Sequence, residues 1–391
     1  MKIRHIATLV LCSILLSTVP LHAAEEQEEE QETKSIDGFG TLSGGDAFKP
    51  TLWKGTGRPI VEELFPKLPS KSSSPTLKAL ISKLAQSTTE PPQGDGTPGL
   101  LFTSRVEHLV NVGQGEAALK MLEILPSDLM DDKRKMLKDK ANLIAMNTGD
   151  GCQGAYDRAH EKEETAFWNE AKVLCLAVED GAEKATGAIQ EYKEKSGKDT
   201  LLCCSNIKIA EVIAGLTGDK KTGTIPARAS AVEAAFLKKA GWTESDKTLA
   251  QRLELYSAFV KVSDSGATFD ASGIPLWLNT KAAEGKSNVA AKALVLMESM
   301  GEKVPPSVWQ KVKPLSPPPR GTNAYEDMLW NMDKAAYASR QGETILYALA
   351  AIGNGGVSKL HPAIMGRIVN ALKMVGLKKE ASLLAAESLL D

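Results

Sequence analysis

The chain has 391 residues, of which 42% are hydrophobic and 25% charged, and its 47 basic side chains nearly balance its 49 acidic ones. Such a length allows a sizeable core and up to two domains. The formal charge of −2 offers no basic excess for nucleic-acid binding, so no nucleic-acid partner is expected. Of the five histidines, His5 and His22 lie near the N-terminus. The rest of the chain is therefore poor in the commonest general base and metal ligand.

The first 24 residues have the pattern of a secretory signal peptide. Lys2 and Arg4 precede an apolar run over residues 6–16, and we expect cleavage near Ala23 or Ala24. The run is well short of the roughly 20 residues that a membrane span needs, which disfavours an uncleaved anchor. The sequence therefore predicts a periplasmic or secreted protein with no transmembrane segment.

Residues 25–50 are predicted to form a disordered tether. Glu25–Glu32 is a like-charge block without hydrophobic periodicity, which repels itself and buries too little to offset the entropy of ordering. The segment 35–47 continues as a glycine-rich stretch. The functional alternative is an acidic tail that binds a cationic partner or divalent ions.

Residues 51–100 are predicted to contain short helices and a Pro/Gly-rich linker. Amphipathic helical patterns cover residues 59–65 and 75–84. Gly94–Gly99 matches the G-x-G-x-x-G motif of dinucleotide-binding loops, but Pro98 interrupts the turn where a helix would begin. Because the strand, turn and helix context is missing, we interpret this motif as part of the linker.

From residue 101 onward apolar residues recur at steps of three and four, which predicts an all-α fold. Glycines punctuate these helices, and each falls between an apolar helix and a second helix rich in Ala and Leu. We expect them to end the first helices, because a left-handed residue there closes the last carbonyls without a Cβ penalty. These glycines are Gly113, Gly149, Gly181, Gly215, Gly285, Gly342 and Gly376.

A period near 34 residues, made of helix, turn and helix, is the pattern of tetratricopeptide repeats. Leu109–Pro126 and Leu372–Leu389 resemble such repeats, each with a glycine followed by a Glu-Ala pair and Leu. The Trp and Tyr of the family's first helix are absent from both. The resemblance implies degenerate helical hairpins that form an α-solenoid, and the alternative is a non-repeating all-α domain with accidental glycine spacing.

A second resemblance concerns the stretch Leu52–Arg58, continued to Leu68 and Pro69. It resembles a group of uncharacterised secreted alphaproteobacterial proteins that carry such repeats. This resemblance bears on compartment and fold alone.

The glycine period is interrupted once, because Gly285 and Gly342 are 57 residues apart. The interval contains two runs of prolines, which do not fit inside helices. We therefore predict a helical-repeat array over residues 101–303, a Pro-rich hinge over 304–319 and C-terminal helical hairpins over 320–391.

Four cysteines remain after removal of the signal peptide: Cys152, Cys175, Cys203 and Cys204. An even number in an oxidising compartment predicts one or two disulfides, and four cysteines allow three pairings. On the predicted helices these bonds would join consecutive hairpins. No C-x-x-C motif occurs. A zinc site would need paired cysteine spacings or several nearby histidines, and His160 alone lies close to the cysteines in sequence, so no metal is expected.

Catalytic motifs are scarce, and no cofactor is expected. No nucleophile elbow, H-E-x-x-H or calcium-loop pattern occurs. His108, His160 and His361 lie on different predicted hairpins, which favours packing or surface roles. Glu387 and Ser388 resemble the Glu-Ser pair of lytic transglycosylases, but the sequence stops three residues after Ser388, so no catalytic lobe is expected there.

The sequence favours a non-catalytic scaffold of the cell envelope that binds a protein or peptide in a concave groove, since curved repeat surfaces serve recognition. The alternative is a cell-wall glycan-acting enzyme or enzyme-associated module, which would need two carboxylates about 5–10 Å apart in a cleft. A third alternative is a self-assembling structural component. Aromatic residues are enriched at binding hot spots, so tryptophans are candidate partner contacts, each with helix packing as its alternative. The candidates are Trp168, Trp277, Trp309 and Trp330.

Overall fold

A computed structural model describes residues 35–389, with gaps at 72–73, 160–164, 199–206, 220–221, 227–228, 244–286, 302 and 311–320. The described part contains sixteen α-helices, short 3-10 turns and three isolated β-bridges, and no strand. The predicted all-α fold is confirmed. The helices are α1 (Arg58–Leu64), α2 (Pro75–Gln86), α3 (Leu100–Asn111), α4 (Gly115–Glu123), α5 (Asp132–Ala145), α6 (Thr148–Arg158), α7 (Thr165–Glu179), α8 (Ala182–Ser196), α9 (Ile209–Leu216), α10 (Ala231–Lys239), α11 (Ser287–Met300), α12 (Pro306–Trp309), α13 (Asn323–Tyr337), α14 (Gln341–Ile352), α15 (Pro362–Met374) and α16 (Lys378–Ser388).

Helices that are neighbours in sequence also pack together in space. Each helix from α3 to α8 contacts the next one, and α10 returns to contact α5. Towards the C-terminus α13 packs on α14 and α15 packs on α16, while α11 packs mainly on α15. In the described part of the chain, most helices therefore pack against a neighbour in sequence.

Three of the predicted glycine punctuation points are confirmed. Gly113, Gly181 and Gly376 have φ values of +85°, +85° and +90° and stand between α3 and α4, α7 and α8, and α15 and α16. A positive φ strains residues with a Cβ, so these positions favour glycine.

Three other predicted punctuation points are wrong, because Gly149, Gly215 and Gly342 lie inside α6, α9 and α14. Gly342 permits a close approach instead: a Cβ there would lie 2.5 Å from the ring of Trp53. Gly285 lies outside the described residues. The positive-φ residues that occur near these three positions are Met146, Gly218 and Ser339.

Two apolar clusters form the core of the described part. The first combines residues 48–141 with residues 290–389, and the second lies within residues 143–242. Helices before and after the predicted hinge therefore share one core. Of the hinge itself, residues 306–309 form the short helix α12, and 311–320 lie outside the described residues.

The predicted tether extends too far along the chain, because residues 35–57 form an ordered N-terminal strap. Gly38 and Gly40 fit closely against the end of α2 and the residues after it. A Cβ at either would lie 2.4 Å from a backbone oxygen there, so these glycines serve close packing rather than flexibility. The strap contains 3-10 turns at Ile36–Gly38, Gly44–Asp46 and Pro50–Trp53.

Asp37 joins the strap to the start of α3. Its fully buried carboxylate accepts hydrogen bonds from Arg58 Nη1 at 2.7 Å, from the Gly99 N–H at 3.1 Å and from the Phe102 N–H at 2.9 Å. The last two donors belong to the N-terminal end of α3, which has no side-chain cap of its own. Asp37 therefore caps α3 from a distant part of the chain.

Arg105 of α3 fixes the strap from the other side. Its guanidinium donates to four backbone carbonyls: Ala85 at 2.7 Å, Ser87 at 2.6 Å, Asp37 at 2.9 Å and Phe39 at 2.6 Å. Burial lowers the pKa of Arg105 to about 10, so the group stays charged at neutral pH. One side chain thus satisfies carbonyls of two segments that no helix or sheet pairs.

The C-terminal helix closes onto the N-terminal elements. Glu387 accepts hydrogen bonds from the Ser74 hydroxyl, from the Thr76 N–H at 3.1 Å and from Thr76 Oγ1 at 2.6 Å. These donors belong to the start of α2, so Glu387 helps to cap that helix. Lys292 of α11 donates to the Ser388 carbonyl and ties a third element to the same place.

The predicted disulfide is confirmed for one pair. Cys152 of α6 is bonded to Cys175 of α7, and both residues are fully buried within the second cluster. The bond joins the second helix of one hairpin to the first helix of the next. Cys203 and Cys204 lie outside the described residues.

We predict that reduction of Cys152–Cys175 lowers the free energy of unfolding by about 3 kcal/mol, since the bond closes a loop of 23 residues in the unfolded chain. The measurement is chemical denaturation of the purified protein with and without a reductant.

The control is the variant Cys152→Ala, Cys175→Ala, whose stability should be insensitive to the reductant. A wild-type protein whose unfolding midpoint is the same in both conditions would contradict the prediction.

Candidate functional site

Trp168 is a packing residue, which corrects its prediction as a partner contact. The side chain is fully buried in the second cluster and meets Phe167 edge to face, with ring centroids 4.7 Å apart. The Lys140 ammonium and the Arg158 guanidinium lie 5.9 and 5.8 Å from the centroid of its ring. The indole therefore anchors α7 against α5 and α6.

The other candidate tryptophans differ in exposure. Trp309 is half-buried, and its Nε1 donates to Glu298 Oε1 at 2.9 Å, which ties α12 to α11. Trp330 on α13 is 60% exposed and is the one described candidate whose ring faces solvent extensively. Trp277 lies outside the described residues.

A groove of about 310 Å³ runs between α7 and α8. Ala166 and Val173 line it from α7, and Ala188 and Tyr192 line it from α8. The seven-residue spacing on α7 and the four-residue spacing on α8 place each pair on one helix face. Small side chains on both sides of a buried tyrosine thus leave an open apolar space.

Polar groups surround this apolar space. Asn169, Lys172 and Ser196 line it, and Lys195 Nζ and Glu191 Oε1 form an ion pair at 2.5 Å on the rim. Burial, followed by the charge of Glu170, raises the pKa of the Tyr192 hydroxyl, so Tyr192 stays neutral at physiological pH. The groove offers hydrogen-bonding groups around an apolar base.

The chemistry of glycosidic cleavage needs two facing carboxylates, and the lining of this groove contains one, Glu191. That carboxylate is already paired with Lys195. Glu387 and Ser388, which resemble a catalytic pair in sequence, lie elsewhere and are buried at the contact with α2. The hydrogen bonds of Glu387 are those of a helix cap, and the Ser388 hydroxyl donates to the Ala385 carbonyl of its own helix at 2.8 Å.

Within the described residues, no group of three or more His, Cys, Asp or Glu side chains is arranged to hold a metal ion. No helix in the same part of the chain is both long and apolar enough to cross a bilayer. The residues Glu161, Glu163 and Glu164, a cluster of carboxylates in the sequence, lie in a gap of the description.

The chain was compared with protein-family models, with curated proteins and with solved structures, and none of them matches it. The geometry of the chain's own residues is therefore the basis for a functional proposal.

Sequence reasoning did not find the groove residues. Ala166, Val173 and Ala188 are small residues of a kind that occurs throughout these helices, and Tyr192 carries no motif. The groove depends on which helix faces remain uncovered after packing, and periodicity does not report that. The useful signal was the scarcity of large side chains on the facing surfaces of α7 and α8.

His108 is a packing residue, as favoured from the sequence. It is 4% exposed, its Nε2 lies 3.3 Å from the Pro69 carbonyl, and the Phe65 ring meets it edge to face. Burial lowers the pKa of His108, which keeps the imidazole neutral. His361 accepts a hydrogen bond from the Ala363 N–H through Nδ1 at the start of α15, and His160 lies outside the described residues.

We predict that His108 makes the protein less stable as the pH falls below about 6.5, its pKa in the unfolded chain. Below that pH the unfolded state binds a proton at His108, whereas burial disfavours protonation of the imidazole in the folded state. The contribution of His108 to the free energy of unfolding is therefore complete above that pH and is lost below it. The largest slope from one such group is about 1.4 kcal/mol per pH unit.

The measurement is denaturant unfolding between neutral and mildly acidic pH for wild type and His108→Gln, which keeps a donor for the Pro69 carbonyl. The wild type should lose more stability than the variant. Parallel curves for the two proteins would exclude a role for His108 in acid sensitivity.

Proposed function

We propose that this chain is an exported helical-repeat scaffold of the cell envelope that binds an extended protein segment or peptide in the groove between α7 and α8. The observation that carries the proposal is the groove itself. Its apolar base, polar rim and single, already paired carboxylate suit recognition better than bond cleavage.

Contacts between the C-terminal hairpins support a repeat arrangement. Arg367 Nη2 and Asp333 Oδ2 are 2.7 Å apart, and Gln341 Nε2 donates to the Val375 carbonyl at 2.8 Å. Each pair is separated by 34 positions in sequence, which is the period of the tetratricopeptide family. Equivalent positions of successive hairpins therefore meet, as they do in a solenoid.

The groove chemistry suits a peptide that carries an apolar side chain. Ala166, Val173 and Ala188 leave room for such a side chain above the Tyr192 ring. Lys172 lines the same space, and its ammonium can donate to a carbonyl of a bound peptide backbone. A volume of about 310 Å³ is enough for a few side chains, not for a folded domain.

Export is part of the proposal. Its support is the cationic and apolar N-terminal segment in the sequence together with the buried Cys152–Cys175 disulfide, since such bonds persist in oxidising compartments.

We predict that Ala188→Trp weakens peptide binding, because the indole would fill the space between α7 and α8. Peptides are first selected by display against the purified wild-type protein, and their Kd is then measured by calorimetry. Wild type should select peptides with apolar side chains, and the variant should bind them at least about tenfold more weakly.

The matched control is Gly187→Trp, which places the same side chain at the neighbouring exposed position, where a Cβ meets nothing within 4 Å. It should bind as wild type does. If Ala188→Trp and Gly187→Trp bind the peptides with the same Kd, the groove is not the binding site. If the protein selects no peptide and degrades peptidoglycan instead, the scaffold function is wrong.

We also predict that the exported protein begins near Ala24 or Glu25, because the signal peptide is cleaved after Ala23 or Ala24. N-terminal sequencing of protein recovered from the periplasm of an expressing bacterium tests this. Retention of Met1 in protein found in the cytoplasm would contradict export without affecting the groove proposal.

A further inference from the structure

Helix α13 carries an exposed aromatic face. Trp330 is 60% exposed and Tyr337 is 77% exposed, the highest values for large hydrophobic side chains in the described part. Asp327, Trp330, Lys334 and Tyr337 follow one another at steps of three, four and three. This spacing places them along one side of a helix, in the pattern of a coiled-coil seam. We call these four residues the α13 face.

The opposite side of α13 already packs against the protein. Leu329, Met332, Ala335 and Ala336 are buried in the helix's contacts with α14 and α15. The rings of Trp330 and Tyr337 are therefore not needed to hold α13 in place. Single exposed hydrophobic residues are ordinary, but two large aromatics aligned on one seam form a patch.

Among the residues that the structure describes, the charges on the α13 face have no ion-pair partners. Asp327 and Lys334 are both exposed, and neither forms a salt bridge with another described residue. They are seven residues apart, about 10.5 Å along the helix axis, which is too far for them to pair with each other. The Lys334 ammonium instead lies 5.0 Å from the centroid of the Trp330 ring.

We propose that the α13 face binds the same face of a second copy of this chain, with the two helices antiparallel about a two-fold axis. A parallel pairing would place Asp327 against Asp327 and Lys334 against Lys334. The antiparallel pairing places each Asp327 near Lys334 of the other copy and brings the two Trp330 rings to the centre. The charges of the α13 face are therefore complementary to those of a second copy in the antiparallel orientation and not in the parallel one. A two-fold interface requires such self-complementarity.

The size of the patch sets the strength of the association. A buried aromatic side chain removes about 150–250 Å² from water, so two rings per copy remove at most about 600–1,000 Å² in total. That is less than the roughly 1,200 Å² of standard specific interfaces and corresponds to a weak, transient contact. We expect a reversible dimer with a Kd of about 1–100 μM. The groove between α7 and α8 contributes no residue to this interface, so the dimer does not depend on the proposed function.

The test reverses the charge of Asp327 in one variant and of Lys334 in another, and then mixes the two variants. Asp327→Lys and Lys334→Asp each place like charges across the interface, and each should raise the dimer Kd at least about tenfold. An equimolar mixture of the two should regain the wild-type Kd, because both cross-pairs are opposite in sign again. Sedimentation velocity over a range of concentrations measures all three.

Trp330→Ala should also weaken the dimer, whereas Glu183→Lys, an exposed charge reversal on α8, should leave it unchanged. Circular dichroism and thermal unfolding show whether each variant is folded, and the exposed positions should not affect either. A wild-type protein that is monomeric at about 100 μM overturns the proposal. So does a mixture that stays monomeric, or a dimer that tolerates both single reversals.

Discussion

The buried guanidinium of Arg105 is the interaction on which the N-terminal half of the structure depends. Its four acceptors are two backbone carbonyls of the strap, one of the last turn of α2 and one directly after α2, and none of them belongs to a sheet or to the middle of a helix. A buried carbonyl without a donor costs about 1–3 kcal/mol, so the strap needs this charge in order to lie where it does. With the strap in place, Asp37 reaches the start of α3 and Trp53 fills the space beside Gly342.

Charged side chains also satisfy distant polar groups near the C-terminal end of the described residues. Glu387 supplies a cap to α2, and Lys292 brings α11 to the carbonyl of Ser388, so polar groups at helix ends are satisfied by residues far away in sequence. These links surround one apolar cluster that is built from both ends of the described chain. The groove between α7 and α8 lies outside that cluster, in the part of the chain where small side chains leave helix faces uncovered.

Local features were predictable from the sequence, and long-range ones were not. Apolar periodicity predicted the helices, and the positive φ of Gly113, Gly181 and Gly376 follows from their place between hairpin helices. The pairing of Cys152 with Cys175 was one of three that the cysteines allow. The strap and the cap on α2 depend on Arg105 and Glu387, charged residues that the sequence gives no reason to place in a core. Likewise the sequence does not distinguish Trp168 from Trp330. Helix packing buries Trp168 and leaves Trp330 exposed.

The contact between Glu387 and the start of α2 joins residues that are 311 positions apart. Its consequence concerns the order of folding. Neighbouring helices can pack through local contacts as the chain emerges, but the larger cluster is incomplete until α16 has been synthesised. Closing so long a loop slows that step. For a chain that crosses a membrane unfolded, as the proposed export requires, such a delay is useful. In an exported chain, late closure of this cluster would keep the polypeptide unfolded for longer before it crosses the membrane.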